Sequence, residues 1–318
     1  MKMKVAIVGA GISGLACARE LAAAGLDPVV FDKGRGVGGR LATRRAEGGL
    51  QFDHGASHVS ATGTPFAALL KEAEAAGAVA RWVQGAVTSD SQPCFVGLPG
   101  MSGLARYLAR GLDVRVGATV GGVERIDAGW RLTAGEHSET FDRVVLALPA
   151  PQIIRLLGAT HPLSQELSGV QMSPCLTLMA AFVGQGHVRD DEFAQPPGDL
   201  GTVTLENSKP GRQGNPQLWV AHANAEFSNH HLDRELPDLA QVMLPLLCDH
   251  LGRKPSEALH AVAHRWRYAR VSQSLGLPFL SDPGGEMYLG GEWCLGNTAE
   301  AGWNSGRAIA GDLLALSR

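Results

Sequence analysis

The feature that most constrains this chain is a glycine-rich turn near its N-terminus. Val5–Val8 is a continuous apolar run, as expected for a parallel strand buried on both faces. Residues 9–14, G-A-G-I-S-G, then fit G-x-G-x-x-G, and apolar residues recur at helical spacing until Gly25. A second apolar run at residues 28–31 ends in Asp32. This order predicts the strand, helix and second strand of a dinucleotide-binding fold.

The glycines of the turn are suited to a bound pyrophosphate. Gly9 permits the tight turn, Gly11 lets the backbone approach the phosphates, and Gly14 brings the helix close to the strand. The first turn of the helix points unpaired N–H groups at the anion. Asp32 follows Gly14 by eighteen residues, where an acid can accept hydrogen bonds from the hydroxyls of the adenosine ribose.

A second loop of glycines and arginines follows Asp32 directly, with K-G-R-G-V-G-G-R-L at residues 33–41. Its glycine pair permits close backbone approach, and Arg35 or Arg40 can countercharge a diphosphate. A basic surface turn is the alternative interpretation. Because a nicotinamide dehydrogenase would normally continue toward another crossover helix, the loop favours FAD over NAD.

Segments spread over the whole chain resemble the flavin-containing amine oxidase superfamily. They are D-x-x-x-x-x-G-G-R from Asp32, F-D-H-G-A-S-H at residues 52–58, V-R-V-G-A-T-V at 114–120, D-R-V-V-L-A-L-P at 142–149, G-G-E at 290–292 and E-A-G-W-N-S-G at 300–306. The resemblance implies an FAD-dependent oxidoreductase in which Val120, in the strand of residues 114–120, contacts adenine through its backbone. It also implies that the final helix directs its N-terminus at the pyrimidine end of the flavin, where negative charge develops on reduction.

The motifs and the resemblance together name the residues expected to bind the cofactor. They are Gly9, Gly11, Ile12, Ser13, Gly14, Asp32, Lys33, Arg35, Gly39, Arg40, Ala56, Ser57, His58, Val120, Gly291, Glu292, Glu300 and Ala301. We expect the FAD to be non-covalent, since no cysteine stands where the amine oxidases form a thioether link.

Two departures narrow the family. Beyond the loop at residues 33–41, no later predicted strand is followed by G-x-G-x-x-G, and the sequence has no redox cysteine pair. A two-nucleotide disulfide reductase is therefore disfavoured. Thr298 stands where amine oxidases usually place a cage tyrosine, and the chain has three tyrosines in all. A two-tyrosine cage for an amine is therefore disfavoured.

The sequence resembles the renalase family more closely. The likeness rests on F-D-K at residues 31–33, G-G-R-L-A-T at 38–43, G-A-S-H-V at 55–59, F-V-G-L-P-G-M-S at 95–102 and R-W-R-Y-A-R-V at 265–271. It implies oxidation of isomeric dihydronicotinamide nucleotides, the 2- or 6-dihydro forms of NAD(P). FAD takes the hydride, and O₂ accepts the electrons to give H₂O₂.

Catalytic residues are not identified from the sequence, because the cofactor carries the chemistry while the protein orients the reactants. Trp266 and Tyr268 are candidates for the substrate pocket, although core aromatics at a domain junction are an equal alternative. His264 is better explained as a structural or surface histidine. The arginines among residues 265–270 suit either a substrate phosphate or a solvated face.

We predict an α/β fold with a Rossmann-like FAD/NAD(P)-binding domain of the glutathione-reductase type and an inserted mixed-sheet α+β substrate domain. The FAD domain is assigned to residues 1–65, 100–155 and 270–318, and the substrate domain to residues 66–99 and 156–269. Within the latter, strands are predicted at residues 176–183 and 217–223 and a helix at 236–251, with loops at 184–201 and 207–216.

Composition excludes several classes of partner. The 318 residues are 45% hydrophobic and 19% charged with a net charge of -3, so a basic field for nucleic acid is lacking. We expect neither a membrane span nor a metal site. The five scattered cysteines indicate reduced thiols in the cytoplasm. The oligomeric state is not predicted.

Two rival functions remain open at this point. One is a flavin amine oxidase or desaturase acting on another small molecule. The other is a flavin-binding protein without turnover, serving as a redox sensor or scaffold, because the motifs predict binding and not rate.

Overall fold

The computed structural model describes residues 3–83, 92–184, 196, 198–212 and 214–316. The strands in chain order are β1 Val5–Val8, β2 Val29–Asp32, β3 Arg44–Arg45, β4 Gln51–Phe52, β5 Val79–Arg81, β6 Phe95–Gly97, β7 Asp113–Val116, β8 Val120–Ile126, β9 Gly129–Ala134, β10 His137–Phe141, β11 Arg143–Leu146, β12 Gln171–Phe182, β13 Leu200–Leu205, β14 Gln217–Ala223, β15 Ala258–Gln273, β16 Leu280–Ser281 and β17 Met287–Leu289. The helices are α1 Ile12–Ala23, α2 Thr64–Ala75, α3 Ser102–Leu108, α4 Ala150–Leu157, α5 Pro162–Glu166, α6 Ala225–His230, α7 Leu236–Leu251 and α8 Ala299–Leu316.

The chain forms two compact units. Unit 1 consists of residues 1–39, 104–172 and 271–318, and unit 2 of residues 40–103 and 173–270. Compared with the predicted domain limits, residues 40–65, 100–103 and 270 lie in unit 2, and residues 156–172 lie in unit 1. The first of these segments is tied to β15 by a hydrogen bond from Arg40 Nη1 to the carbonyl of Ala269.

Unit 1 is built on a six-stranded sheet of order β16-β17-β11-β1-β2-β7. Its pairs are parallel except for β16 with β17. All four residues of β1 are buried, as their continuous apolar run predicts. The Rossmann-like fold expected from the sequence is therefore confirmed.

Helices α1 and α8 of unit 1 pack closely because glycines stand at their contact. A Cβ built on Gly306 would lie 2.0 Å from the carbonyl oxygen of Ser13. One built on Gly302 would lie 2.9 Å from Cγ2 of Ile12. The last helix of the chain is thereby held against the helix that starts the nucleotide motif.

The expectation for Val120 needs one correction. The resemblance predicts one strand over residues 114–120, but β7 ends at Val116 and Val120 begins the antiparallel meander β8-β9-β10. The chain turns at Gly117, whose φ of 70° favours glycine. Backbone N–H groups of Gly117 and Ala118 donate to the carbonyls of Gly34 and Asp32, so the turn stays beside the end of β2.

Unit 2 contains a four-stranded sheet of order β13-β14-β12-β15. Along β12, Leu178 and Ala180 belong to a core shared with α7, while Met179 and Ala181 belong to a core with Phe52. This alternation is that of a strand with both faces covered. The predicted strand 217–223 and helix 236–251 are confirmed within this unit, while residues 200–205, expected to lie partly in a loop, form β13.

In the described part of the chain, every helix is too short or too polar to cross a membrane.

Candidate cofactor site

The glycine-rich turn of unit 1 has the geometry that its sequence predicts. Gly9 has a φ of 112°, and its N–H donates to the carbonyl of Phe31 at 2.8 Å. A Cβ on Gly9 would lie 2.3 Å from the carbonyl oxygen of Ala147, and one on Gly14 would lie 1.9 Å from the carbonyl oxygen of Gly9. Both positions therefore require glycine, for the turn and for the close approach of α1 to β1.

The remaining glycine of the motif faces open space. A Cβ on Gly11 would find no described atom within 4 Å, and Gly11 caps α1 without a side-chain hydrogen bond. Two residues later, the buried Oγ of Ser13 has no hydrogen-bond partner among the described residues. Buried hydroxyls are normally satisfied, so this one fits an acceptor supplied from outside the chain. The backbone N–H groups at the start of α1 and the hydroxyl of Ser13 are donors suited to the phosphates of a dinucleotide.

Asp32 organises the turn as well as ending β2. Its Oδ2 accepts from the N–H of Ala10 at 2.7 Å, and its Oδ1 accepts from the N–H of Gly34 at 2.6 Å. A carboxylate oxygen can accept more than one hydrogen bond, so capacity for ribose hydroxyls remains. The sequence motif predicts only the contact of Asp32 with the ribose, and the two backbone hydrogen bonds are seen only in the structure.

The second glycine loop lies against the first turn. The N–H of Gly38 donates to the carbonyl of Ala10 at 2.8 Å. Gly39 has a φ of 53°, and a Cβ built on it would lie in van der Waals contact with Cα of Gly11, at 3.6 Å. The side chains of Lys33 and Arg35 are exposed. The structure thus brings both predicted glycine loops together within unit 1.

The predicted C-terminal residues also gather in unit 1. The N–H of Gly291 donates to Oγ of Ser305 at 3.1 Å. A Cβ on Gly302 would lie 3.6 Å from Cβ of Glu292, which places this acid beside the start of α8. Glu300 and Ala301, both buried, lie in the first turn of that helix.

Thr298 has a role that the sequence did not reveal. Its Oγ1 accepts a hydrogen bond from the N–H of Ala301 at 3.0 Å, which is the arrangement of a helix N-cap. The residue that replaces the usual cage tyrosine therefore stabilises the start of α8.

In unit 2, the structure brings Arg40 together with the segment at residues 56–58. The N–H of Ala56 donates to the carbonyl of Arg40 at 2.8 Å, and a Cβ on Gly55 would lie 2.1 Å from the same oxygen. Ser57 Oγ and His58 Nδ1 are 3.0 Å apart. Burial, followed by the charge of Lys209, lowers the pKa of His58.

The pocket candidate Trp266 belongs to a cluster of rings in unit 2. Its centroid lies 5.0 Å from that of His54 and 4.5 Å from that of His264, and the two imidazoles are 4.7 Å apart. Desolvation lowers the pKa of His54 to about 3 and that of His264 to about 4, with neighbouring positive charges adding to the effect. The cluster is neutral at pH 7. Tyr268 is half-buried.

A buried ion network in unit 2 was missed by the sequence analysis. It consists of Asp53, Glu206, Lys209 and Arg212, whose side chains are between 0% and 8% exposed. Three of the four lie between residues 206 and 212, in or next to a segment interpreted as a loop. The charges at i, i+3 and i+6 in E-N-S-K-P-G-R were the available signal, but their acidic partner is 153 residues away.

Two family models match the chain. The NAD(P)-binding Rossmann-like domain matches residues 7–73, and the flavin containing amine oxidoreductase model matches residues 81–314. Renalase of Mus musculus is 25% identical over 311 residues, which cover 90% of this chain and 89% of renalase. A 15-cis-phytoene desaturase of Synechococcus elongatus is 43% identical over 53 residues, or 17% of this chain and 11% of the desaturase.

Solved structures share the fold along the full length. The crystal structure of a putative protoporphyrinogen oxidase from Exiguobacterium sp. 255-15 has a TM-score of 0.77 at 16% identity. Cyclohexylamine oxidase from Brevibacterium oxydans IH-35A has a TM-score of 0.72 at 12% identity. Each comparison covers 100% of both chains. At these identities the likeness concerns the fold.

Proposed function

The chain belongs to the flavin containing amine oxidoreductase family as an FAD-dependent oxidoreductase of its renalase-like branch, and on this premise we propose that it oxidises isomeric dihydronicotinamide nucleotides. The substrates would be the 2- or 6-dihydro forms of NAD(P), and O₂ would be the electron acceptor. The observation that carries the proposal is the similarity to renalase over 90% of this chain.

We propose further that the FAD is held without a covalent bond. In unit 1, the N-terminus of α1 and the unsatisfied Oγ of Ser13 would bind the diphosphate. The remaining acceptor capacity of Asp32 would serve the ribose. The first turn of α8, capped by Thr298, would stabilise negative charge on the flavin, as the family resemblance implies.

Residues of unit 2 complete the proposed assignment. Arg40 and residues 56–58 are proposed to contact the cofactor, and Trp266 and Tyr268 to contact the substrate. The neutral His54–His264–Trp266 cluster presents ring surfaces suited to a planar heterocycle.

The proposed reaction needs orientation more than acid or base catalysis. When bound, FAD supplies the hydride acceptor and the route for electrons to O₂. The substrate loses a hydride and becomes NAD(P)⁺, and O₂ takes up the two electrons and two protons as H₂O₂. The protein's part is to hold the dihydropyridine in a reactive geometry and to exclude water.

Thr298 and the cysteines bear on the details of the proposal. Because Thr298 caps a helix where amine oxidases usually have a cage tyrosine, an amine substrate is disfavoured. The five cysteines are free and buried, which supports a reducing compartment such as the cytoplasm.

An anaerobic reduction experiment tests the function. The purified protein is checked for flavin absorbance and then mixed, without oxygen, with an NADH preparation containing the 2- and 6-dihydro isomers. Rapid bleaching, followed by H₂O₂ release when oxygen is admitted, is the expected result. Pure 1,4-dihydro NADH and a panel of primary amines serve as controls. Bleaching by amines alone would identify an amine oxidase, and a bound flavin that none of these compounds reduces would contradict turnover of this kind.

A further inference from the structure

In the buried ion network of unit 2, two acidic and two basic side chains form four ion pairs. Lys209 Nζ lies 2.6 Å from Glu206 Oε1 and 3.1 Å from Asp53 Oδ2. Arg212 Nη1 lies 2.7 Å from Glu206 Oε2 and 2.5 Å from Asp53 Oδ2. The side chains of Asp53 and Lys209 are 0% exposed, that of Glu206 is 1% exposed and that of Arg212 is 8% exposed. Opposite charges therefore cancel in a site almost without water.

Such a network contributes little net stability to a core. Removing four charged groups from water costs free energy that their attraction only partly recovers, and apolar residues of similar volume often stabilise a protein as well or better. What ion pairs add is geometry, because the forked guanidinium and the carboxylates accept only certain arrangements. The network is therefore better explained as a means of fixing the positions of the segments that it joins than as a means of stabilising the fold.

The network joins three separate segments of unit 2. Oδ1 of Asp53 accepts from Oγ1 of Thr43 and from the N–H of Met101, each at 2.8 Å. The N–H of Asp53 donates to Oε2 of Glu206 at 3.1 Å. Arg212 Nη2 donates to the carbonyl of Gly97 at 2.9 Å. The neighbourhoods of residues 43–53, 97–101 and 206–212 are consequently fixed together.

Asp53 begins the segment that leads to the residues predicted to contact the flavin. Two residues later, Gly55 leaves no space for a Cβ against the carbonyl of Arg40, and the N–H of Ala56 donates to that carbonyl. Arg40 in turn donates from Nη1 to the carbonyl of Ala269 at 3.0 Å. A displacement of Asp53 would therefore move both Arg40 and residues 56–58.

We infer that the buried ion network is a positioning device that sets Arg40 and residues 56–58 of unit 2 in the conformation that binds the flavin. The inference rests on the proposed cofactor assignment. Asp53, Glu206 and Arg212 are positioning residues and not catalytic ones, since they act through the backbone of the segment that they anchor.

The test compares flavin affinity with the stability of the apoprotein. The double variant Glu206→Gln/Arg212→Met removes one acid and one base, so the charge stays balanced. The contacts of Arg212 with Asp53, with residue 206 and with the carbonyl of Gly97 are lost. FAD is titrated into the apoprotein and followed by quenching of flavin fluorescence. We expect binding at least about tenfold weaker, a difference of about 1.4 kcal/mol, together with an altered visible circular dichroism spectrum of the bound flavin.

Two further variants separate position from general destabilisation. Arg253→Met is the matched control, because Arg253 is another arginine of unit 2 with contacts inside the fold. It donates to Gln217 and lies over the ring of Phe182, but it contacts neither Arg40 nor residues 56–58. It is expected to lower the melting temperature without changing FAD affinity. Thr43→Val removes the hydrogen bond that the hydroxyl donates to Asp53 and the one that it accepts from the N–H of Ser102, and it keeps the four charged side chains. It therefore reports on the same device if the double variant does not fold. It is expected to weaken FAD binding by about threefold.

The outcomes are distinguishable. If the wild-type protein binds FAD and the folded variants bind it equally well and with the same spectrum, the inference is overturned. The proposed function is not affected by that result. Wild-type protein that is folded and refuses FAD overturns the proposed function, and the inference falls with it. Weakened binding in the network variants, with unchanged binding in Arg253→Met, supports the inference.

Discussion

Trp266 Nε1 donates a hydrogen bond to the carbonyl of His54 at 2.9 Å, and the two rings lie 5.0 Å apart at an interplanar angle of 35°. These residues are 212 positions apart in sequence. The contact joins β15 to the segment that carries Asp53 and residues 55–58, so a candidate for the substrate pocket also supports a candidate cofactor segment. His222 Nε2 lies 3.2 Å from the same carbonyl, which gives that oxygen a second partner.

Replacing Trp266 by Phe is expected to affect substrate use more than stability. The carbonyl of His54 keeps its contact with His222, so the lost hydrogen bond should lower the free energy of unfolding by about 1 kcal/mol. If Trp266 contacts the substrate, KM for the dihydronicotinamide isomers should rise while FAD affinity stays the same. Steady-state kinetics and urea unfolding measure the two effects. An unchanged KM with a normal flavin content would remove Trp266 from the pocket.

Gly11→Ala and Gly14→Ala are expected to differ in the stability of the apoprotein, which the first should leave unchanged and the second should lower. The methyl group at Gly11 enters open space at a backbone φ of -73°, so the free energy of unfolding without FAD should change by less than about 0.5 kcal/mol. FAD binding should weaken by at least about tenfold, because the methyl group occupies the proposed phosphate position.

The methyl group at Gly14 instead collides with the backbone oxygen of Gly9, at 1.9 Å. It should destabilise the apoprotein by more than about 2 kcal/mol, or prevent folding, by forcing α1 away from β1. Thermal unfolding of the two apoproteins, followed by FAD titration, provides the comparison. Tight FAD binding by Gly11→Ala would place the phosphates elsewhere.

Stability is expected to fall as the pH drops below about 6.5. The folded protein lowers the pKa of His54 to about 3 and those of His222 and His264 to about 4, mainly by desolvation. Between these values and the ordinary pKa of 6.5 the unfolded chain binds more protons, so stability is complete above the unfolded pKa and is lost progressively toward the folded ones.

Urea unfolding at pH 7.5 and pH 5.0, both values chosen to bracket the upper part of that window, measures the effect. His264→Gln should retain the fold and show a shallower pH dependence, since one of the three groups is gone. A transition midpoint independent of pH between these two conditions would mean that the histidines are accessible to protons in the folded state.

Thr298→Ala is expected to lower stability by about 1 kcal/mol through loss of the N-cap of α8. Thr298→Ser keeps an oxygen that can accept from the N–H of Ala301 and should cost less than half as much. Calorimetry on the apoproteins distinguishes the two variants. Equal destabilisation by Ala and Ser would indicate that the methyl group, and not the cap, is what matters at this position.

The local motifs of this chain were sufficient to identify its family and much of its fold. The motif at residues 9–14 runs from the end of β1 into the first turn of α1 as predicted, and the strand 217–223 and the helix 236–251 occur at their predicted positions. Each of these features is encoded in contiguous residues, where spacing, glycine position and apolar periodicity report directly on backbone conformation. The oxidoreductase class followed from several such segments taken together.

Only the tertiary structure revealed how distant residues are combined. The ion network joins residues 153 to 159 positions apart, and local patterns carry no information about such pairings. The cap formed by Thr298, the double backbone contact of Asp32 and the position of Val120 at the start of a new strand likewise depend on how the chain packs. Burial and the choice of partner are properties of the folded arrangement, and for these residues they decide the role that residue type alone left open.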